Sequence, residues 1–106
     1  MKIKPEYFDK IKKGEKIYEV RLNDEKRRAI NIGDEIILSK EPEQNETLVL
    51  TVQDLIYFNS FEEMVDILPT AKIGFAGMDK SAIVNVYRQF YSLTDEQKYG
   101  VVAIKF

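Results

Sequence analysis

The run of residues 17–22 constrains the fold of this chain more than any other segment, because apolar and charged side chains alternate along it. Such alternation predicts a half-buried β-strand, with one face on the core and the other turned away from it. The apolar face consists of Tyr18, Val20 and Leu22. Glu19 and Arg21 share the opposite face with Ile17, and they lie about 7 Å apart along the strand. The chain therefore needs a core beneath this strand and displays opposite charges on its other side.

A third charge, that of Lys16, directly precedes the predicted strand. Strict alternation would place Lys16 on the Tyr18 side, so it joins Glu19 and Arg21 only if the strand begins after it. In that arrangement an ammonium group, a carboxylate and a guanidinium group converge at one end of a rigid element. The structural alternative is a solvated strand face with a surface ion pair worth at most about 1 kcal/mol.

Length and composition indicate one globular domain over residues 1–106, with 44% apolar and 32% charged residues. No apolar run approaches the length of a membrane span, and the amino-terminal residues lack the apolar stretch of a secretion signal. The chain has no cysteine, so it forms no disulfide and nothing indicates export. We therefore expect a cytoplasmic protein that does not associate with a membrane.

The absence of histidine and cysteine excludes several classes of active site. Nucleophile systems that depend on histidine, and zinc sites built from histidine or cysteine, cannot be assembled. Any chemistry would fall to Lys, Asp, Glu, Tyr, Ser or Thr side chains. No acidic triplet indicates a magnesium site, so the sequence predicts neither a metal site nor a cofactor.

The charge of this acidic protein is unevenly distributed along the chain. The net charge of −2 argues against binding nucleic acid through bulk positive charge. Residues 1–40, however, hold eleven Lys or Arg against eight Asp or Glu, whereas residues 41–106 hold five against ten. This asymmetry permits a local anion-binding patch. Arg27 and Arg28 follow the charged strand closely and are the predicted phosphate ligands, with a solvated turn as the alternative.

The remaining pattern predicts helices mixed with short strands. In order, the predicted elements are a helix that starts at Pro5 and ends before Gly14, the strand 17–22, a helical turn capped by Asn23 and Asp24, strands over 35–39 and 48–55, a helix that Ser60 caps and Pro69 ends, a loop over 70–78, a helix capped by Asp79, a helical turn that starts at Thr94 and a strand over 101–106. The last long helix is predicted to turn one side to the core, namely Ile83, Val86, Tyr87 and Phe90. These elements suit an α+β fold, in which a small, mostly antiparallel sheet curls toward a barrel flanked by helices.

The order of these motifs resembles the ASCH domain family, which is part of the PUA-like superfamily. The resemblance covers essentially the whole chain and lies in GEKIYEVRLNDEKRRAINIGDEIIL at 14–38, SFEEM at 60–64, YRQFYS at 87–92 and KYGVVAIKF at 98–106. Its most specific part is the spacing of Gly14, Lys16, Glu19 and Arg21. The resemblance implies a PUA-like β-barrel flanked by helices, with a cleft that these charged residues line. It also implies that the cleft binds RNA or a nucleotide.

One branch of that family is more loosely similar and hydrolyses the acetyl amide of N4-acetylcytidine with a lysine, a threonine and a glutamate. The lysine falls on Lys16, but the position of the threonine holds Glu19. The position of the glutamate offers only Asp79 as a nearby carboxylate. Two of three positions therefore depart from that branch. As an amidohydrolase, this chain would use Lys16 as the reactive amine and Glu19 or Asp79 to move protons.

The chemistry of the motif favours recognition of a ligand over catalysis. Glu19 stabilises the ammonium form of Lys16, which suits a phosphate or carbonyl ligand better than it suits a base. Arg21 is suited to forked binding of a phosphate or a base edge. Glu19 can accept a hydrogen bond from an exocyclic amine. The leading hypothesis is therefore a module that binds RNA, a nucleotide or a nucleoside through Lys16, Glu19 and Arg21, together with Arg27 and Arg28.

Two further points stay open in the sequence. Aromatic side chains able to stack on a base are present, but none can be assigned that role; the candidates are Tyr57, Phe58, Tyr91 and Tyr99. Besides the amidohydrolase, the competing hypothesis is a non-catalytic interaction domain in which the motif charges only brace the barrel. A homodimer is the partner considered for such a domain.

Overall fold

Six strands and five helices mix along the chain in the computed structural model, which describes residues 1–106. The strands are β1 (Lys2–Ile3), β2 (Tyr18–Leu22), β3 (Glu35–Lys40), β4 (Thr47–Thr51), β5 (Asp54–Phe58) and β6 (Val101–Lys105). The helices are α1 (Pro5–Lys12), α2 (Glu25–Arg28), α3 (Phe61–Ile67), α4 (Lys80–Arg88) and α5 (Leu93–Tyr99), and a 3-10 turn spans Thr70–Ile73. None of the helices has both the length and the apolar character needed to cross a membrane.

The strands form two three-stranded sheets, ordered β1-β3-β4 and β2-β6-β5. Only β1 and β3 run parallel, and the other three pairs are antiparallel. The α+β class and the mostly antiparallel pairing are therefore confirmed. The predicted closed barrel is not confirmed, because backbone pairing does not join the two sheets into one ring.

The segment predicted as one strand over 48–55 is in fact two strands that belong to different sheets. Val52 and Gln53 separate them, and the N–H group of Val52 donates to the Asp34 carbonyl at 2.8 Å. The next N–H group, that of Gln53, donates to the Lys105 carbonyl at 2.8 Å. The chain thus passes from one sheet to the other at this bend. Alternation along the sequence does not reveal such a bend, because apolar residues continue through it.

The first strand was not predicted, because two residues are too few to show a periodic pattern. β1 pairs with β3 with Lys2 opposite Ser39 and Ile3 opposite Lys40. Ile3 is buried in a small core with Phe8 of α1. This short strand matters because it forms one edge of its sheet.

The predicted starts of α2, α3 and α4 agree with the structure, because each depends on a local hydrogen bond, whereas α5 is capped by Ser92 and begins before the predicted Thr94. The carboxylate of Asp24 accepts from the Arg27 N–H at the start of α2. The carboxylate of Asp79 accepts in the same way at the start of α4. Ser60 caps α3, although the Glu63 carboxylate meets the N–H group of Asn59 instead of that of Ser60.

The larger core lies between the β2-β6-β5 sheet and helices α3 and α4. Ile83 and Tyr87 belong to it, as predicted for one side of α4. Val86 is only half-buried, and Phe90 is 58% exposed. The prediction that all four apolar residues of this stripe face the core is therefore wrong for its far end.

Candidate functional site

A cavity of about 280 Å³ lies between β1 and β2, which are edge strands of the two sheets. We call the gap between these two strands the seam. Lys2 and Ile3 line the cavity from the β1 side, and Glu19 and Arg21 line it from the β2 side. The seam is bridged by the Arg21 side chain, whose Nη2 atom donates to the Lys2 carbonyl at 3.0 Å. The cavity therefore lies where the two sheets fail to join.

Lys16 is buried beside the cavity, with only 3% of its surface exposed. Because β2 begins at Tyr18, Lys16 is free of the strand alternation and turns toward Glu19. Its ammonium group lies 3.1 Å from Glu19 Oε1 and donates to the carbonyl of Ile73 at 3.1 Å. It also donates to the carbonyl of Tyr18. An ammonium group has three N–H bonds, so these three acceptors use all of them.

Arg21 differs from Lys16 because part of its guanidinium group remains available. Its Nε atom donates to Glu19 Oε2 at 2.9 Å, and its Nη2 atom lies 2.7 Å from the same oxygen. The other amino group, Nη1, has no carboxylate or carbonyl acceptor in the protein. The side chain is 21% exposed and lines the cavity. The Tyr91 hydroxyl is a further hydrogen-bond partner of this guanidinium group. Arg21 is therefore the member of the trio that can bind an anion without giving up its bonds to Glu19 and Lys2.

The ionisation of Glu19 depends on its two cationic neighbours. Burial alone would raise the pKa of Glu19, but Lys16 and Arg21 together hold this pKa below its ordinary value of 4.5. Burial lowers the pKa of Lys16, and Glu19 opposes this effect. Burial likewise acts to lower the pKa of Arg21, but Glu19 and the nearby Tyr91 hydroxyl raise it overall. The carboxylate is thus charged near neutral pH and holds both cations in position.

The backbone of Val20 presents a free donor and a free acceptor at the edge of β2. The N–H group of Asn23 donates to the carbonyl of Gly100, and that of Phe106 donates to the carbonyl of Ile17. These two bonds establish which residues of β2 direct their N–H and C=O groups toward β6. Val20 lies opposite Ala103 at a position that does not hydrogen-bond to β6. Its N–H and C=O groups therefore point away from β6. Because β2 pairs with β6 along one edge only, this donor and acceptor lie along its open edge, and Val20 is one of the residues that line the cavity.

The apolar wall of the cavity is held rigid by contacts between aromatic rings. Tyr87 stacks on Phe61 with ring centres 4.6 Å apart, and it meets the edge of Phe75 at 5.8 Å. Tyr7 packs against Phe75 at 5.5 Å. Tyr91 stacks on Phe61 at 5.6 Å. All of these residues except Phe61 line the cavity, so a flat ligand would meet preformed aromatic surfaces.

Lys4 and Phe90 lie at the mouth of the cavity from opposite sides of the seam. Lys4 precedes α1 and Phe90 follows α4, and both line the cavity. The Lys4 ammonium lies 4.9 Å from the centre of the Phe90 ring, within range of a cation–π contact. The Phe90 ring is largely exposed, which leaves it accessible to a ligand.

The structure brings only some of the predicted site residues together. Lys16, Glu19 and Arg21 converge as predicted. Arg28 does not line the cavity, because its Nε atom donates to the carbonyl of Asn23 at the opposite end of β2. Asp79 is not at the cavity either, since its carboxylate caps α4.

Arg27 occupies an intermediate position, outside the cavity but within a cluster of cations. Its guanidinium lies 3.4 Å from Asp24, and its Nε atom is buried without a partner. Burial lowers the pKa of the Met1 amino group, and the charges of Lys26, Arg21, Arg27 and Lys2 lower it further. The positive charge of these four residues therefore acts on the same amino group, and two of the four, Lys2 and Arg21, also line the cavity.

Several residues of the site were missed by reasoning from sequence. Lys2 lies in a strand too short to recognise, and Lys4 directly follows that strand. Tyr7 lies next to Phe8 on α1 but outside the apolar stripe of that helix. This position could have indicated that the Tyr7 ring contacts something other than the core beneath α1. Among the predicted stacking candidates, Tyr91 lines the cavity, whereas the other three surround a separate depression, namely Tyr57, Phe58 and Tyr99.

Comparison with known proteins gives this chain a family. The model of the ASCH domain matches residues 1–106. The chain belongs to the ASCH domain family. No curated protein matches this chain.

Two solved structures share the fold of this ASCH domain. The crystal structure of hypothetical protein PH0355 is 38% identical, covers 99% of this chain and 96% of its own, and superimposes with a TM-score of 0.82. The solution NMR structure of protein PF0455 from Pyrococcus furiosus is 35% identical, covers 99% of this chain and 94% of its own, and has a TM-score of 0.74. These similarities support the fold described above along nearly the whole chain.

Proposed function

We propose that this ASCH domain binds RNA by holding one nucleotide in the cavity at the seam. The observation that carries the proposal is the guanidinium group of Arg21, which lines a cavity with rigid aromatic walls and keeps one amino group that bonds no carboxylate or carbonyl. A volume of about 280 Å³ lies near the lower end of the range for small-ligand pockets, so we expect the cavity to hold no more than one nucleotide. The neighbouring nucleotides of the strand would lie outside, along the protein surface.

The charges around the cavity favour a phosphate group. Four cations line it, namely Lys2, Lys4, Lys16 and Arg21, whereas the acids are only Glu19 and Glu41. This local excess of positive charge contrasts with the net charge of −2 of the whole chain. Arg21 binds the phosphate through Nη1, and Glu19 and Lys16 hold Arg21 in place. Lys16 is thus a positioning residue and not a ligand of the phosphate.

The base has both polar and apolar partners in the cavity. The open N–H and C=O groups of Val20 offer a donor next to an acceptor, which is the pattern that a base edge can pair with. The rings of Tyr7 and Phe90 offer surfaces on which a base stacks, an interaction worth roughly 1–3 kcal/mol per base. A buried backbone group without a partner is costly, so pairing with the base would satisfy Val20.

A strand of RNA suits the site better than a free nucleotide because of the cations beyond the cavity. Lys26 and Arg27 of α2 act on the Met1 amino group together with the cavity cations Lys2 and Arg21, since the positive charge of all four lowers its pKa. Adjacent phosphates of a strand can contact them, and each such contact makes binding more sensitive to salt. We therefore expect a single-stranded oligonucleotide to bind more tightly than a mononucleotide.

The experiment is a calorimetric titration of the protein with uridine monophosphate and with single-stranded RNA at low salt. Arg21→Gln removes the charge-assisted contact, which is worth about 1.5–3 kcal/mol, so we expect affinity to fall about tenfold to a hundredfold. The matched control is Lys80→Gln, which removes an exposed cation that is not at the cavity and pairs with Asp66. The proposal fails if neither ligand binds the wild-type protein, or if Arg21→Gln binds as the control does.

A second pair of variants tests the stacking surface without disturbing the ion pairs. Phe90→Ala removes an exposed ring at the cavity, so we expect about tenfold weaker binding and an unchanged melting temperature. Leu93→Ala removes an equally exposed apolar side chain, 53% against 58%, outside the cavity. Equal affinities of the two variants would contradict stacking on Phe90.

An amidohydrolase acting on an N4-acylated cytidine is the second candidate, and one observation favours it. Burial lowers the pKa of Lys16, as a reactive amine requires. Two observations oppose an amidohydrolase. All three N–H bonds of Lys16 already donate to acceptors in the protein, and Asp79 lies away from the cavity. We expect N4-acetylcytidine to remain intact when it is incubated with the protein. Release of cytidine that is abolished by Lys16→Met would favour the enzyme instead.

A further inference from the structure

The outer edge of β4 is open along its whole length. This strand is the last in its sheet and pairs only with β3. The N–H group of Val52 donates to the carbonyl of Asp34, and that of Lys40 donates to the carbonyl of Glu46. These two bonds establish which residues of β4 direct their N–H and C=O groups toward β3. Leu48 and Leu50 therefore bond to β3. The N–H and C=O groups that point outward are those of Thr47, Val49 and Thr51.

No other part of the chain covers these outward groups. No backbone or side-chain group elsewhere hydrogen-bonds to the main chain of Thr47, Val49 or Thr51. All three residues are exposed. Proteins usually protect such an edge with charge, proline or a bulge, because it is a template for another strand. Within β4 none of these devices is present, since the strand reads Thr-Leu-Val-Leu-Thr.

The sequence of β4 is the same in both directions. When two copies of such a strand lie antiparallel about a two-fold axis at Val49, Thr47 of each copy faces Thr51 of the other. Leu48 faces Leu50, and Val49 faces itself. Beyond the strand, Glu46 would face the uncharged Val52, so no like charges are opposed. A two-fold interface must be complementary to itself, and this edge meets that condition.

The outer face of the sheet adds an apolar row that runs to the same edge. Ile37 lies opposite Val49 in the register of β3 and β4. The two side chains are 55% and 58% exposed, respectively, although both are large and apolar. Across a two-fold axis at Val49, this row would continue from Ile37 and Val49 of one copy to Val49 and Ile37 of the other. Cross-strand pairs of β-branched side chains stabilise a sheet.

We infer that the occupant of this edge is a second copy of the chain, which pairs β4 to β4 antiparallel about Val49. Each of the three open N–H groups of one copy meets an open C=O group of the other. The two β1-β3-β4 sheets become one sheet of six strands. A single edge strand is a small contact compared with standard interfaces, so the dimer dissociates on dilution. The inference does not depend on the ligand of the seam.

The test is amide hydrogen exchange by NMR, from low micromolar to millimolar protein concentration. At low concentration the amides of Leu48 and Leu50 are protected, whereas those of Thr47, Val49 and Thr51 exchange rapidly. We expect the latter three to become protected as the concentration rises, together with a rise in average mass in sedimentation equilibrium. Rapid exchange of these three amides at every concentration would overturn the inference.

The same substitution at two exposed apolar residues distinguishes this interface from other exposed apolar surfaces. Val49→Lys places two like charges at the two-fold axis, so we expect a monomer with an unchanged melting temperature. Its control is Ile67→Lys, at an equally exposed apolar residue of α3, which should still dimerise. If both variants dimerise as the wild-type chain does, the interface lies elsewhere.

A cross-link gives the register directly, because the chain has no cysteine of its own. Hydrogen-bonded antiparallel partners have Cα atoms about 5.5 Å apart, within the range of about 4.4–6.8 Å that a disulfide spans. We expect Val49→Cys to form a covalent dimer under mild oxidation far faster than Ile67→Cys does. Equal rates for the two variants would contradict the proposed pairing.

Discussion

Lys16 illustrates how single residues set up this site. Its ammonium group is buried and meets one carboxylate and two carbonyls, so it ties the 3-10 turn before Gly74 to the start of β2. Replacing one partner of a buried ion pair leaves the other charge unpaired, which is much more costly than losing a surface pair. The role that the structure gives to Lys16 is thus to hold Glu19 and, through it, Arg21.

Gly74 permits this arrangement, and its substitution is the first testable consequence. Its φ of +96° is strained for other residues, and a Cβ atom would lie 2.9 Å from Lys16 Cδ and 3.3 Å from a ring atom of Tyr7. We expect Gly74→Ala to lower the free energy of unfolding by about 2–4 kcal/mol, from backbone strain and overpacking together. Urea denaturation measures this difference.

The matched control for that experiment is Gly77→Ala. Gly77 also has a positive φ, of +78°, but a Cβ atom there would meet nothing within 4 Å. It should therefore cost only the backbone strain, about 1 kcal/mol. If the two variants were equally stable, the Lys16 side chain would not be held as tightly as the structure indicates.

At the scale of residues, the sequence predicted that Lys16, Glu19 and Arg21 lie together but not the separate role of each. The spacing of Glu19 and Arg21 on one strand face was sufficient to place them together. Lys16 uses all its donors, whereas Arg21 keeps one amino group that bonds no carboxylate or carbonyl. This difference depends on carbonyls from residues distant in sequence, such as Ile73 and Lys2. No local pattern could have revealed these partners.

At the scale of elements, one buried carboxylate joins three helices. Glu96 of α5 is 1% exposed, and it accepts from the N–H group of Phe61 at 3.0 Å and from Arg88 Nε at 3.1 Å. It thus fixes the start of α3 and the end of α4 relative to α5. Phe61 in turn stacks on Tyr87 and Tyr91, so Glu96 supports the aromatic wall of the cavity.

We expect Glu96→Gln to lower the free energy of unfolding by about 1–3 kcal/mol, because the amide cannot accept both hydrogen bonds as the carboxylate does. Glu62→Gln is the control, since it removes an exposed carboxylate 3.3 Å from the same arginine. An exposed pair of this kind is worth less than about 1 kcal/mol. Chemical denaturation of both variants checks the contrast, and equal losses would contradict it.

Prediction of elements succeeded where the signal was local and failed where it depended on the other sheet. Side-chain caps such as Ser60 and Asp79 identified the starts of helices correctly, since each bonds within its own first turn. The bend after Thr51 was missed, because it is produced by pairing with residues of β3 and β6. Glu96 was not singled out, since its partners lie on other helices.

At the scale of the whole molecule, the stability of the fold depends on the ionisation of Glu19, which lies at the seam. The pKa of Glu19 in the folded protein lies below 4.5, so its ionised form contributes stability above pH 4.5. This contribution is lost as the pH falls through the folded pKa, since the unfolded chain binds the proton more tightly. Glu19→Gln lacks the contribution at every pH.

We therefore expect the difference in unfolding free energy between wild type and Glu19→Gln to be about 3–5 kcal/mol at neutral pH, as for other broken buried pairs. The difference should hold down to pH 4.5 and shrink at lower pH, which urea denaturation between neutral and acidic pH can follow. A difference that stays constant across this range would show that Glu19 is not ionised against Lys16 and Arg21.

The proposal that the seam is the nucleotide site is tested most directly by NMR titration of the isotope-labelled protein with single-stranded RNA. We expect saturable changes in the signals of the Val20 amide and the Arg21 Nε–H group, with smaller changes around Phe90. Signals of residues remote from the cavity, such as those of Ile67, should stay in place. If RNA shifts signals only elsewhere, or shifts none at low salt, the seam does not bind RNA.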